Sequence, residues 1–320
     1  MPPRKSPNPL VRPFLKWAGG KRQLLPELLK HIPKQYGAYY EPFLGGGALF
    51  LALQPRRAVV NDSNAELINC YQVVQQNVED LIQRLHAHQA CNSEESYYEI
   101  RDWDRGVGYA ARPAIERAAR IIYLNKTCYN GLFRVNAHGQ FNVPYGKYVR
   151  PAIVDEGVLH AVSHYLNSAN ITFRTMDFAE ATQGSQAGDF LYFDPPYDPV
   201  SSTASFTGYD VNGFDRREQE RLHQHVDALN ARGCRVMLSN AHTPFIVSLY
   251  QDYRCIKVEA IRAINSDPGK RGKVDELLVV NYEQRPNQKR RRVGDTVSAV
   301  SDTRTGEPLW PVRDQFGANQ

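Results

Sequence analysis

The chain has 320 residues, 42% hydrophobic and 23% charged, which is enough for a real core and one large domain carrying an inserted or appended module. That composition excludes wholesale disorder. No apolar run approaches the roughly eighteen residues of a membrane helix, and the opening MPPRKSPNPLVRPF lacks the apolar centre of a signal peptide. A soluble cytoplasmic protein with no membrane partner is the expectation. The five cysteines (Cys70, Cys91, Cys128, Cys234 and Cys255) are scattered and form no CxxC pair, so they read as reduced thiols rather than a disulfide framework or zinc site.

The net charge is only +5, but residues 1–34 hold eight Lys or Arg (Arg4, Lys5, Arg12, Lys16, Lys21, Arg22, Lys30, Lys34) against the single acid Glu27. The rest of the chain therefore sums to −2. A basic segment on a near-neutral protein points to a polyanionic partner, although a solvated basic tail has the same composition. A second run, Lys289-Arg290-Arg291-Arg292, opens a stretch to Gln320 without sustained apolar periodicity. Residues 1–9 and 286–320 are expected to be flexible tails.

In chain order, Leu24, Leu25, Leu28 and Leu29 lie on one face of a short helix, and GAYYEPFL (37–44) reads as a strand ended by Gly45-Gly46-Gly47. ALFLAL begins a helix, and Ala58–Asn61 is a second strand ending at Asp62. Strand, glycine turn, helix, strand and acid open a doubly wound α/β fold. From 65 to 169 helical patterns (ELINCYQVVQQNVEDLIQRLHAH, RPAIERAARIIYLN) lead into a Gly-, Asn- and aromatic-rich stretch at 125–150, as expected of an inserted module. The alternation resumes with NITFRTMDF, DFLYFDPPY, a helix from about Arg216 to Arg232 and CRVMLSN. Asp215 suits the N-cap of that helix, Leu222, Val226 and Leu229 share a face, and Gly233 suits its C-terminal cap. CIKVEAIRA and ELLVVNYE close the sheet around a basic loop, Ile264 to Glu276. No internal repeat is present.

Two constellations carry chemistry. Glu41-Pro42-Phe43-Leu44-Gly45-Gly46-Gly47 is followed by Asp62, 17 residues after Gly45. Glycines at a strand-to-helix turn admit a ligand close to the backbone, and an acid ending the next strand can take both ribose hydroxyls. The triplet lacks GxGxxG spacing, so a nucleoside cofactor without diphosphate fits better than NAD; a plain glycine turn with a surface Asp is the bland reading. Asp194-Pro195-Pro196-Tyr197 directly follows the apolar strand Phe190–Phe193, at the carboxyl end where open α/β sheets bind ligands. Successive prolines stiffen the turn, so the Pro195 carbonyl and the Asp194 carboxylate can face one object as paired acceptors, with Tyr197 as a flat π surface beside them. Two acceptors and a stacking ring suit an exocyclic amine on a planar base. The bland reading here is a Pro-Pro turn with a helix-capping Asp.

These motifs, in this order, resemble the Dam-type (D12 class, α-group) DNA adenine methyltransferases. The resemblance runs from residue 14 to about 283: Phe14-Leu15-Lys16-Trp17-Ala18-Gly19-Gly20-Lys21, then EPFLGGG, NDSN, Tyr129-Asn130-Gly131-Leu132-Phe133-Arg134, Phe141-Asn142-Val143-Pro144-Tyr145-Gly146-Lys147-Tyr148 and DPPY. It implies a Rossmann-like methyltransferase core (10–64 and 170–285), an inserted helical and β-hairpin DNA-recognition domain (65–169), S-adenosylmethionine as methyl donor and double-stranded DNA as partner. It further implies that Trp17 and Lys21 wall the cofactor pocket, Glu41 to Gly47 embrace the methionine part, Asp62 holds the ribose, and Asp177-Phe178 meet the cofactor's adenine. Asp194 and the Pro195 carbonyl would bind the target N6 amine, with Tyr197 stacked on its ring. Tyr129 and Asn130 would fill the gap beside a flipped base, while Leu132, Arg134 and Pro144 touch base edges. Arg134 leads as a specificity residue, since Arg reads guanine with two hydrogen bonds. Lys16 and Tyr148 resemble the pair that reads the first guanine of GATC. Lys270, Arg271 and Lys273 in the basic loop would contact phosphate.

No metal is expected: the nine histidines lack ligand spacing, and His223 with His225 reads as a polar helix face. A monomer is expected, with a possible cognate restriction endonuclease acting on the same site. Two alternatives stay open from the residues alone: an RNA or protein N-methyltransferase, because an acid or amide before Pro-Pro-Tyr serves those acceptors too, and a DNA-binding regulator without turnover.

Overall fold

The computed structural model describes residues 7–17, 21, 23–199, 213–261 and 273–283. Seven strands form one sheet in the order β3-β2-β1-β4-β5-β7-β6. β1 (Tyr39–Glu41), β2 (Arg57–Asn61), β3 (Asn170–Arg174), β4 (Phe190–Phe193) and β5 (Arg235–Ala241) are mutually parallel. β7 (Lys273–Val280) runs antiparallel between β5 and β6 (Arg254–Ile261).

Alternation along the strands supplies two cores. Tyr39, Val60, Phe190, Tyr192, Met237 and Leu278 face one side, while Ala38, Tyr40, Leu191, Phe193, Val236 and Leu277 face the other. The second face is covered by α8 (Phe178–Ala181), α9 (Arg216–Ala231) and α10 (Pro244–Leu249). α9 starts where its sequence says it should: the Asp215 carboxylate accepts from the backbone N–H groups of Arg217 and Glu218 at 2.9 and 3.0 Å, and Leu222, Val226 and Leu229 are buried. The first face meets α1 (Leu25–Lys30), α2 (Ala48–Leu53) and the helical block α3 (Ala65–Gln76), α4 (Val78–Ala90), α5 (Glu94–Arg101), α6 (Ala114–Thr127) and α7 (Glu156–Ser168). One apolar cluster runs from Tyr39 and Phe50 through Leu85, Tyr97 and Leu124 to Phe141, so the sheet and the helical block share a core.

Three local readings change. The pattern 66–88 is two helices, because Asn77 leaves helical geometry (φ −140°, ψ 44°) and serves both as C-cap of α3 and N-cap of α4. In α1 the apolar face is narrower than four leucines: Leu24 and Leu28 are buried but Leu29 is 42% exposed. The basic loop ends sooner than Glu276, since Lys273–Glu276 already pair with β6. Lys270, Arg271 and the tail after 283 lie outside the described residues.

Candidate active site

The chain leaves β1 toward β2 on one side, while β4 continues toward β5 on the other, so β1 and β4 flank the point where the sheet reverses its winding. A crevice opens at the carboxyl ends of such a pair, and both sequence motifs empty into it.

The turn after β1 needs its glycines. Gly45 and Gly47 adopt φ +48° and +62°, and a Cβ there would stand 3.0 Å from Trp17 Cδ1 and 2.6 Å from the Tyr71 hydroxyl. At Gly46 a Cβ would come 3.2 Å from Trp17 Cβ. Trp17 thus lies directly on the turn, and its ring stacks on Phe133 at 4.7 Å. Asp62 fastens the turn from β2: its carboxylate accepts from Gly45 N–H at 2.8 Å and from Asn64 N–H at 2.9 Å. Asn61 joins it to the β3 end, donating to the carbonyls of Pro42 and Met176 at 3.0 Å each and accepting Met176 N–H at 3.0 Å. Glu41 is buried and accepts the Tyr39 hydroxyl at 2.6 Å. Burial pushes its carboxyl up to about 8, and the negative charges of Asp194 and Asp62 push the same way against the Tyr39 hydrogen bond.

Beyond the ends of β2 and β3 lies a cavity of about 540 Å³ lined by Ser63, Met176, Asp177, Phe214, Asp215 and Glu218 among others. Asp177 caps α8 by accepting Ala179 N–H at 2.9 Å, and it takes a two-pronged ion pair from Arg221 (3.0 and 2.7 Å) that holds its carboxyl below the ordinary range. Phe178 turns inward, under the Arg221 guanidinium at 4.1 Å and beside Phe43 at 5.5 Å. Its contact is with the aromatic wall beneath Asp177. A planar ring bearing amine hydrogens, a diol and a cationic group are all within the chemical means of this set: an apolar wall, carboxylates at the strand ends and a turn open to close approach.

At the end of β4, the Asp194 carboxylate accepts the Ser239 hydroxyl at 2.7 Å and lies 2.9 Å from the Lys21 ammonium. The same ammonium sits 4.4 Å from the centre of the Tyr197 ring. Lys21, for which the resemblance implies a place on the cofactor wall, meets the carboxylate and the aromatic face of the turn. Tyr197 donates to Glu276 Oε2 at 2.7 Å. Behind the turn, Gln219 donates to the Pro196 carbonyl (2.8 Å), Asn240 accepts Asp198 N–H (3.1 Å) and donates to Gln219 Oε1 (3.0 Å), and Asp198 is held by Thr243 (2.7 Å) and Arg216 (3.1 Å). Gln219, Asn240, Asp198 and Thr243 are all buried.

The stretch 128–146 folds back on itself through two antiparallel bridges, Cys128 with Tyr145 and Val135 with Phe141. Tyr129-Asn130-Gly131 is a single 3-10 turn at its foot, with Asn130 at φ 57° and Gly131 at φ 63°. The tip lies at Asn136–Gln140, where Asn136 accepts the Gly139 and Gln140 N–H groups. Tyr129, Asn130, Arg134, Pro144 and Tyr148 are exposed and Leu132 half-buried, so one continuous stretch of chain, 129–148, presents them. Lys16 joins them: the buried Asn125 accepts Lys16 N–H at 2.8 Å and donates to the carbonyls of Lys16 and Gly131 at 2.7 and 3.1 Å. The backbone of Lys273 opens β7.

Residues 17–264 match the family described as D12 class N6 adenine-specific DNA methyltransferases. This chain belongs to that family. It is 47% identical over 272 residues to the Type II methyltransferase M1.LlaDCHI of Lactococcus lactis subsp. cremoris, covering 85% of this chain and 96% of that one. It is 41% identical over 290 residues to the Type II methyltransferase M.MjaIII of Methanocaldococcus jannaschii, covering 85% and 99% respectively. With the DNA adenine methylase of Escherichia coli it shares 34% over 271 residues, 84% of this chain and 95% of that one. The sheet is accordingly the Rossmann-like core of a methyltransferase, and the enzyme class is an adenine-specific DNA methyltransferase. Among the described residues, no helix is long and apolar enough to cross a membrane.

Sequence reasoning missed the groups that hold this methyltransferase's turn in place. Ser239 and Asn240 are polar residues closing the apolar strand CRVMLSN, and a polar pair at a carboxyl strand end was the signal available for them. Nothing local shows what Gln219, Asn125 or Asn61 fasten, because they tie together segments 23, 109 and 115 residues apart.

Proposed function

We propose that this methyltransferase moves a methyl group from S-adenosylmethionine to the N6 amine of adenine in double-stranded GATC, after swinging the base out of the helix into the pocket at Asp194. The observation that carries the reading is the position of the Lys21 ammonium, which rests on the Asp194 carboxylate and over the Tyr197 ring. A carboxylate and an aromatic face thus meet around one nitrogen, and that arrangement supports a site for the amine of a planar base. When bound, the cofactor supplies a methyl group on a positively charged sulfur. Glu41 to Gly47 and Trp17 would hold its methionine portion, Asp62 its ribose, and the cavity at Met176, Asp177 and Phe214 its adenine.

Asp194 and the Pro195 carbonyl would take the two amine hydrogens. That orients the nitrogen lone pair, which is otherwise delocalised into the ring, and lowers the barrier to alkylation. The amine proton becomes acidic only once the nitrogen carries the new methyl group, so Asp194 can receive it then without being a strong base. Ser239 keeps that carboxylate aligned. Extruding the base costs a few kcal/mol, which contacts from residues 65–169, acting as the recognition module of the 10–64 and 170–285 core, would offset. In that module Tyr129 and Asn130 would fill the vacated space and Lys16, Leu132, Arg134, Pro144 and Tyr148 would meet the base pairs, while Lys270, Arg271 and Lys273 would contact phosphate. The protein would act as a monomer in the cytoplasm, and a restriction endonuclease cutting the same site would be its partner in function without need of contact.

The test is transfer of labelled methyl from S-adenosylmethionine to duplexes carrying GATC, GATATC, scrambled and pre-methylated sites, with an RNA control. Label confined to unmethylated or hemimethylated GATC is the expected result. Label in another duplex would move the site assignment, and label in RNA or in none would overturn the substrate.

A further inference from the structure

Arg134 and Asn142 stand opposite each other on the two arms of the hairpin, joined by the ladder bond from Asn142 N–H to the Arg134 carbonyl at 3.0 Å. A second pair of bonds runs between the same residues through the side chain. Arg134 Nε donates to Asn142 Oδ1 at 2.7 Å, and its Nη2 donates to the Asn142 carbonyl at 3.3 Å. Both bonds use the side-on edge of the guanidinium. The end-on fork, built from Nη1 and the second hydrogen of Nη2, is a separate pair of parallel donors, and parallel donors are what guanine O6 and N7 accept.

The arm that carries Asn142 is itself anchored in the helical block. Asp104 accepts Phe141 N–H at 2.7 Å, and the same carboxylate pairs at 2.7 Å with Arg120, which is 1% exposed and also donates to the carbonyls of Ile100 and Arg101. Arg105 donates to the Phe141 carbonyl at 3.1 Å. One arm is therefore fixed to buried structure, and its Asn142 holds the long, exposed side chain on the other.

We propose that Asn142 is a positioning residue for sequence recognition: it fixes the plane and direction of the Arg134 guanidinium before DNA arrives, so that the end-on fork meets one guanine. Ordering a flexible arginine in advance removes part of the entropy lost on binding the right site, whereas a mobile arginine can adapt to several bases. The proposal rests on the reading of Arg134 as a base-contacting residue.

The experiment measures kcat/KM for methyl transfer to duplexes with the cognate site and with each single base-pair change, for the wild type, Arg134→Ala, Asn142→Ala and Asn142→Asp. Arg134→Ala should lower discrimination at one base pair by about five- to a hundredfold. Asn142→Ala keeps the ladder bond to the Arg134 carbonyl and the weaker bond from Nη2 to the carbonyl at 142 but removes the acceptor for Nε, so the hairpin should persist, and discrimination should fall at that same pair by about fivefold or more. KM for S-adenosylmethionine and discrimination elsewhere should stay unchanged. Asn142→Asp, which retains an oxygen acceptor for Nε, should restore discrimination. Loss in Arg134→Ala with none in Asn142→Ala would overturn the positioning role alone, as would an equal loss at every position in Asn142→Ala. Unchanged discrimination in Arg134→Ala would overturn the base-reading assignment and the Asn142 proposal with it.

Discussion

Behind Asp194 the polar groups are buried and answer one another: Gln219 holds Pro196, Asn240 holds Asp198 and Gln219, and Thr243 holds Asp198 from the next element. The hairpin at 128–146 is the reverse case, with its ladder reduced to two bridges, Tyr129, Asn130, Arg134 and Pro144 exposed, and its anchorage concentrated at Asn125, Asp104 and Arg120. Under the proposed function the difference follows from what each region would meet. A group that bonds to a reacting amine has one correct position, and buried hydrogen bonds in a low dielectric are the stiffest way to hold it. In the proposed function the hairpin residues meet a DNA groove and stay in water until the duplex arrives, so order has to be conveyed to them from the base of the hairpin.

Substitutions should separate the two regions by the quantity that each one moves. The largest effect belongs to Asp194→Ala, which should cut turnover by about 10² to 10⁴-fold with DNA affinity retained in a gel-shift titration; unchanged turnover would remove the residue from the chemistry. Next comes Glu41→Gln. The folded protein holds this carboxyl near 8 against an ordinary 4.5, so the native state binds a proton that the unfolded chain releases. Stability should therefore be fully present below about 4.5, decline by up to about 1.4 kcal/mol per pH unit as pH rises toward 8, and level off above. Urea unfolding at several pH values should show the decline in the wild type and a flatter profile in the variant. Asn240→Ala strips the buried N–H groups of Asp198 and Ala241 of their acceptor and should cost about 3 kcal/mol of stability with a matching fall in kcat. Arg134→Ala should alter unfolding free energy by less than about 0.5 kcal/mol, while changing discrimination at one base pair by about 1–3 kcal/mol. A large stability loss at Arg134, or none at Asn240, would erase the contrast.

Much of this architecture is readable along the chain. The Asp215 cap, the apolar triplet Leu222, Val226 and Leu229 and Gly233 mark α9 because capping and periodicity act within a few residues. The apolar run Phe190–Phe193 marks a strand buried on both faces for the same reason. The break at Asn77 is harder to see, since the apolar pattern continues across it while the backbone turns. Tyr129-Asn130-Gly131 stands at the foot of the hairpin, and Gly131 is required there by its φ of +63° and by the Lys16 side chain, 2.5 Å from where a Cβ would be. Lys21 was readable as a motif residue but not as the partner of Asp194, because the two meet only through folding.

By itself the sequence determined the strands, the helices at 216–231 and in the block after 65, the glycine turn at 45–47, the Pro-Pro turn at 194–197 and the family to which they belong, because these depend on residue types and spacings within short segments. Tertiary structure alone decided that the two turns open side by side. It placed Lys21 on Asp194 and Tyr197, put Ser239 on Asp194 and Asn240 on Asp198, and set Asn142 against Arg134. Those contacts depend on strand order and on packing across large separations in the chain, where one shared core must satisfy many buried groups at once, and no local pattern specifies which distant polar residue will answer which.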